Sequence, residues 1–192
     1  MSKLLIATLV LAATAAHAEE FSYKGVKLGE SIEAFKEALP LYKCGQDSCT
    51  YLRQECAPVS GTGSSQDYSR RLEECREGTS YGGALVSYGR ASFIDGKLAS
   101  IYLVSPWMER VGRTLPEKYG APTSTDDSPV KNKMGAEFPN WVKTWKNGDS
   151  RLIASLRGSK LDEGFILIES AAAIANQKKQ EKDQAKTGAK DF

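Results

Sequence analysis

The 192-residue chain carries 26 Lys plus Arg against 24 Asp plus Glu, and its one histidine is His17. That near-balance excludes a protein that holds nucleic acid through a broad basic field, since such binding must gather many phosphates at once. The length suits one hydrophobic core, so a single domain is expected.

Residues 1–18 read as a secretory signal: Lys3 supplies the positive start, residues 4–13 the apolar run, and Ala16-His17-Ala18 the small-residue cleavage site. Cleavage after Ala18 leaves Glu19 in front, and losing Lys3 brings the charge closer still to balance. The apolar run is too short to span ~30 Å of hydrocarbon as a helix, and no later stretch is long or apolar enough to try. A lipid-anchored exported protein would place Cys directly after the cleavage point; Glu19 stands there, so no anchor is expected. The implied location is the periplasm or the exterior.

Residues 21–26 form an expected short strand that ends at Gly29. Ser31 then caps a helix over 32–39, whose Ile32, Phe35 and Leu39 make one apolar stripe before Pro40 stops it. Residues 41–80 read as an irregular insertion around SGTGSSQD, with a short helix at 68–76. All four cysteines, Cys44, Cys49, Cys56 and Cys75, fall in this stretch. In an oxidising compartment an even, clustered count implies two disulfides, with three pairings open. Local closure favours Cys44 with Cys49 and Cys56 with Cys75, each stabilising by ~2 to 4 kcal/mol through restriction of the unfolded chain. Zinc is the competing reading, but no C-x-x-C pair is present and export disfavours thiols, so no metal or other cofactor is expected.

Residues 81–104, YGGALVSYGRASFIDGKLASIYLV, read as the hairpin the rest of the chain covers, with Asp95-Gly96 at its reversal. Two registers compete. A two-residue loop sets Phe93 opposite Leu98 and mixes both faces; a three-residue loop with Gly96 as a bulge points Phe93, Ala91, Ala99, Ile101 and Leu103 one way, and is preferred because it separates the faces. Ser105-Pro106 starts the next helix, with Ser105 as cap and Trp107, Val111, Leu115 and Tyr119 as its stripe. Pro116 is expected to kink this helix and Gly120 to end it. Residues 123–137 read as a loop. A second hairpin turns at Asn147-Gly148, Thr144 meeting Arg151, and residues 164–169 add a third strand. Residues 171–192 read as a tail that docks for a turn or two through Ile174 and then frays in solvent.

Short links between successive strands favour a mostly antiparallel sheet with helices on one face. The expected fold is therefore α+β, a two-layer sandwich over residues 19–170.

The sharpest functional inference is an absence. His17 leaves with the signal, so histidine-dependent nucleophiles, general bases and metal sites are excluded, and oxidised cysteines cannot attack. Carboxylate pairs remain. The doublets Glu73-Glu74, Asp126-Asp127 and Asp162-Glu163 each diverge in direction, so none alone makes a two-carboxylate acid/base pair. Trp141, Lys143 and Trp145 share a strand face. They read first as core filling beneath Trp107, and second as a platform for a sugar ring or a partner's peptide. Tyr88 and Tyr102, opposite the core face, are the better candidates for an exposed aromatic surface, although cross-strand packing also explains the pair.

The segments FSYKGVKLGESIEAFKEALP and ASFIDGKLASIYLV, with KYGAP between the hairpins, carry a G-x-x-LG, helix, F-x-DG-x-L pattern. It resembles small exported bacterial modules of the β-lactamase-inhibitor-protein-like group and outer-membrane assembly lipoproteins of similar fold. The resemblance implies a helix-plus-antiparallel-sheet unit, single or in tandem, that binds proteins and does no chemistry. The cysteine-bearing stretch and the missing anchor cysteine depart from that pattern, and no binding residue is carried over.

Two functions follow as expectations. The first is an exported, non-catalytic protein-binding module: an inhibitor, an immunity-type protein or an envelope accessory factor, with another envelope or secreted protein as partner. The alternative is a carboxylate-dependent hydrolase acting on cell-envelope polymers. A purely structural envelope protein would show neither a soluble partner nor turnover.

Overall fold

A computed structural model describes residues 20–56 and 64–188. The expected signal segment, its cleavage point, His17 and Phe192 lie outside the described residues. In chain order the elements are β1 (Ser22–Tyr23), β2 (Val26–Lys27), α1 (Ile32–Ala38), β3 (Lys43–Cys44), β4 (Ser48–Leu52), α2 (Arg53–Cys56), α3 (Ser65–Thr79), β5 (Tyr88–Ile94) and β6 (Lys97–Ser105). There follow α4 (Met108–Tyr119), β7 (Ser124–Asp126), β8 (Val130–Lys131), β9 (Glu137–Phe138), β10 (Val142–Asn147), β11 (Ser150–Ser155), β12 (Gly164–Glu169) and α5 (Ala171–Gly188).

Eight strands form one antiparallel sheet in the order β3-β4-β5-β6-β12-β11-β10-β7. The order is mirrored about its middle: α1 leads into β3 to β6, α4 leads into β7 and β10 to β12, and the two runs meet last strand to last strand. The expected α+β architecture holds.

The central hairpin combines both anticipated registers. Its loop has two residues, Asp95 and Gly96, both at positive φ (50° and 70°), the turn whose twist matches the flanking strands. Phe93 therefore faces Leu98. The bulge lies not at Gly96 but at Ala99, left unpaired between the Phe93–Leu98 and Ser92–Ser100 pairs. One extra residue there resets the alternation, so that Leu98 and Ala99 are buried together and Ile101 and Leu103 keep to the same face as Ala91 and Phe93. The Ser170 N–H donates to the Ala99 carbonyl at 2.9 Å.

Other expectations shift similarly. The strand expected over 21–26 is the small hairpin β1–β2, reversing at Lys24-Gly25, again with both φ positive. The 41–80 stretch is not a peripheral insertion: β4 pairs with β5 along its length, β3 forms the sheet edge, and α3 runs for 15 residues from a Ser64/Asp67 capping box. The loop expected over 123–137 contributes edge strand β7 and hairpin β8–β9. The second hairpin turns at Gly148-Asp149, so Thr144 meets Ile153 and Arg151 meets Lys146; the faces are unchanged because the slip is two residues.

Ser31 caps α1 as expected, its Oγ accepting from the Ala34 N–H. Ile32, Phe35 and Leu39 join Met108, Val111 and Leu115 of α4 over Ala91, Ile101, Leu103, Leu152, Ala154, Ile166 and Ile168 of the sheet, all in one core. A run of rings extends this core toward α3. Phe35 meets Phe93 and Tyr42 edge-on, Tyr42 stacks near Tyr51, and Tyr23 donates to the Thr79 carbonyl at 2.6 Å. At α5, Ala173 and Ile174 are half-buried and residues 175–187 are exposed along a continuous helix.

The disulfides are Cys44–Cys49, closing β3 on β4, and Cys56–Cys75, tying α2 to α3. Their sequence separations are 5 and 19. Because loop-closure entropy grows with length, replacing Cys56 and Cys75 together by Ser should cost about 3 kcal/mol, against about 2 kcal/mol for Cys44 and Cys49. Urea denaturation of the two double variants checks the ordering.

Burial raises the hydroxyl pKa of Tyr23, Tyr42 and Tyr51 above the ordinary tyrosine value. The unfolded chain ionises these groups at about pH 10 while the folded chain keeps them protonated. Folded protein then holds more protons, and stability falls as pH rises further. Urea midpoints should be level just below about pH 10 and drop above it. A flat profile to about pH 11 contradicts this.

Candidate functional site

The sheet has one face covered by α1 and α4. On the opposite face strand alternation sets Thr50 and Leu52 of β4, Tyr88 and Arg90 of β5, Tyr102 and Val104 of β6, and Phe165 and Leu167 of β12. Tyr102 is central, between its cross-strand partners Arg90 and Leu167, with Tyr88 at 6.3 Å and Phe165 at 5.6 Å ring to ring. These rings are half-buried, and Leu52 is 42% exposed. Tyr88 and Tyr102 thus sit together on the open face, as expected.

They form the floor of an open groove of about 360 Å³. One wall is Leu52 with Arg53 and Gln54 of α2; the other is Gly158, Ser159, Lys160 and Glu163 of the β11–β12 connection. Lys160 pairs with Glu163 at 3.2 Å, and Ser87 donates to the Val104 carbonyl and, at 3.4 Å, to Glu163. Burial, helped by Tyr88 and Glu163, pushes the Tyr102 hydroxyl pKa up, so it stays a neutral donor. Glu163 is the one carboxylate among the described residues that line the groove. The arrangement can therefore desolvate rings and aliphatic side chains at its floor and hydrogen-bond at its rim.

Trp141, Lys143 and Trp145 are on the other side of the sheet and do not join Tyr88 and Tyr102. They clamp α4. Pro116 has no N–H, so the Gly112 carbonyl one turn earlier loses its helical partner; Lys143 Nζ donates to that carbonyl at 3.4 Å. The Trp141 ring lies against Gly112, with Lys143 Nζ 4.9 Å from the ring centre. Trp145 is buried, and its indole N–H donates to the Gly120 carbonyl at 2.8 Å. These residues hold the helix to the sheet and leave the candidate surface.

Trp107 departs from its expected place in the core stripe and is 49% exposed. Helix α4 begins at Met108, two residues later than expected, so its buried stripe is Met108, Val111, Gly112 and Leu115, and Trp107 occupies the cap position without a side-chain cap bond. Ser105 is buried in β6, its Oγ accepting from the Trp107 N–H.

Sequence reasoning missed Leu52, Val104, Lys160, Glu163 and Phe165. A signal existed for Phe165: in GFILIE both alternating sets are apolar, so the strand had to present rings or aliphatics on each face. Nothing local marked the pairing of β4 with β5, which brings Leu52 and α2 to the groove.

Among the described residues no group of three or more His, Cys, Asp or Glu is placed to hold a metal ion. Within the same residues no helix is long and apolar enough to cross a membrane. No family model, curated protein or solved structure matches the chain.

A Cβ on Gly112 would stand 2.5 Å from Trp141 Cζ2. Gly112→Ala should therefore cost about 1–3 kcal/mol by forcing the clamp apart, seen as a lower urea midpoint and a changed near-ultraviolet dichroism of Trp141. A variant as stable as the parent would show that the ring has room to move.

Proposed function

We propose that this chain is an exported, non-catalytic module that binds another envelope or secreted protein through the open face of its sheet. The observation that carries the reading is the groove floored by Tyr88, Tyr102 and Val104, with Phe165 stacked beside it, on a sheet face that α1 and α4 leave uncovered. Rings held half-buried by neighbours are stiff, so they lose little entropy on contact, and tyrosine is among the residues that dominate interface energy.

Supporting features are the two disulfides, which suit an oxidising compartment such as the periplasm, and a nearly neutral charge, which suits a protein partner better than a polyanion. The hydrolase reading has less behind it. Glu163 faces no second carboxylate in the groove and is engaged by Lys160 and Ser87.

The test uses residues 19–192 as immobilised bait against periplasmic and secreted extracts, with Tyr102→Ser and Trp107→Ser as comparison baits. A saturable partner should be retained by the parent and by Trp107→Ser and bound at least about thirtyfold more weakly by Tyr102→Ser, the loss expected of a central anchor. No saturable partner at micromolar bait, or equal retention by Tyr102→Ser, counts against the reading.

A further inference from the structure

Hairpin β8–β9 ends in a turn that holds a methionine out in water. Asn132 builds that turn: its Oδ1 accepts from the N–H groups of Met134 and Ala136, its own N–H donates to the Ala136 carbonyl, and its carbonyl accepts from Gly135. Gly135 takes φ 85°, and a Lys131–Glu137 pair at 3.0 Å closes the stem. The Met134 side chain is 89% exposed, whereas Met108 under α4 is 1% exposed.

Every cysteine is already a disulfide, so no thiol competes for an oxidant. The described residues contain no histidine either. Thioether oxidation needs the reagent to reach sulfur, and only Met134 among the described methionines offers that access.

We propose that Met134 is an oxidation site of this protein, its substrate class being peroxides. The thioether sulfur attacks one peroxide oxygen, an S–O bond forms as the O–O bond breaks, and the departing hydroxide takes the proton from the oxygen now on sulfur and leaves as water. Sulfur gives up two electrons, and hydrogen peroxide is reduced by two. The product is a polar sulfoxide on the hairpin tip, far from the core that Met108 helps to fill. This inference is independent of the groove and of what binds there.

The experiment treats the disulfide-bonded protein with hydrogen peroxide and follows the 16 Da additions by peptide mass mapping. Met134 should be modified at least about tenfold faster than Met108, without change in circular dichroism or urea midpoint, and the gap should close in denaturant. Met134→Leu should abolish the fast addition, and Met108→Leu should leave it intact. Equal rates for the two methionines in the folded protein, or first oxidation at Trp107, would overturn the assignment. So would a loss of fold that keeps pace with the Met134 addition.

Discussion

The pairing of β6 with β12 is the constraint on which the rest depends. Each is the last strand of a run that begins with a helix, and their six-residue antiparallel register joins the two runs into a single sheet. Ile101 and Leu103 on one strand, with Ile166 and Ile168 on the other, fix which face meets α1 and α4. The same register sends Tyr102, Val104, Phe165 and Leu167 to the other side. Core and open face are thus two consequences of one ladder, since a slip of one residue would exchange them.

What a reader could extract from the residues beforehand depended on range. Ser31 before Ile32, the Asp95-Gly96 reversal and the 164–169 strand are local signals, and each appears where its chemistry places it. Cys44 with Cys49 and Cys56 with Cys75 were favoured on closeness alone, and these are the bonds formed. The bulge at Ala99 was misplaced because its purpose is to reconcile a tight turn with a distant alternation, which no short window displays. The 41–80 stretch looked unsupported since its apolar residues, Tyr42, Cys49 and Tyr51, find their partners outside it, in α1, β1 and β5.

The candidate surface was half legible for the same reason. Alternation about the central hairpin was enough to pair Tyr88 with Tyr102. Leu52 arrives from β4 and Glu163 from the connection into β12, so placing them together needed the order β4-β5-β6-β12. Trp141, just before β10, and Lys143 within it show the converse: they look like a recognition platform in isolation, yet they repair a defect that Pro116 creates in α4. A proline inside a helix leaves a carbonyl to be answered, and a lysine across the interface answers it.

Helix α2 has only four residues and buries none of them, yet it contributes Arg53 and Gln54 to one side of the groove. So short a helix has no stability of its own. Its placement rests on the β4 strand before it, on the Arg53 N–H donating to the Ser87 carbonyl, on the Lys43–Glu55 pair to β3, and on the sulfur link from Cys56 to α3. The link therefore helps to fix one side of the groove. A chain kept reduced would fold its sheet with that side of the groove less firmly held.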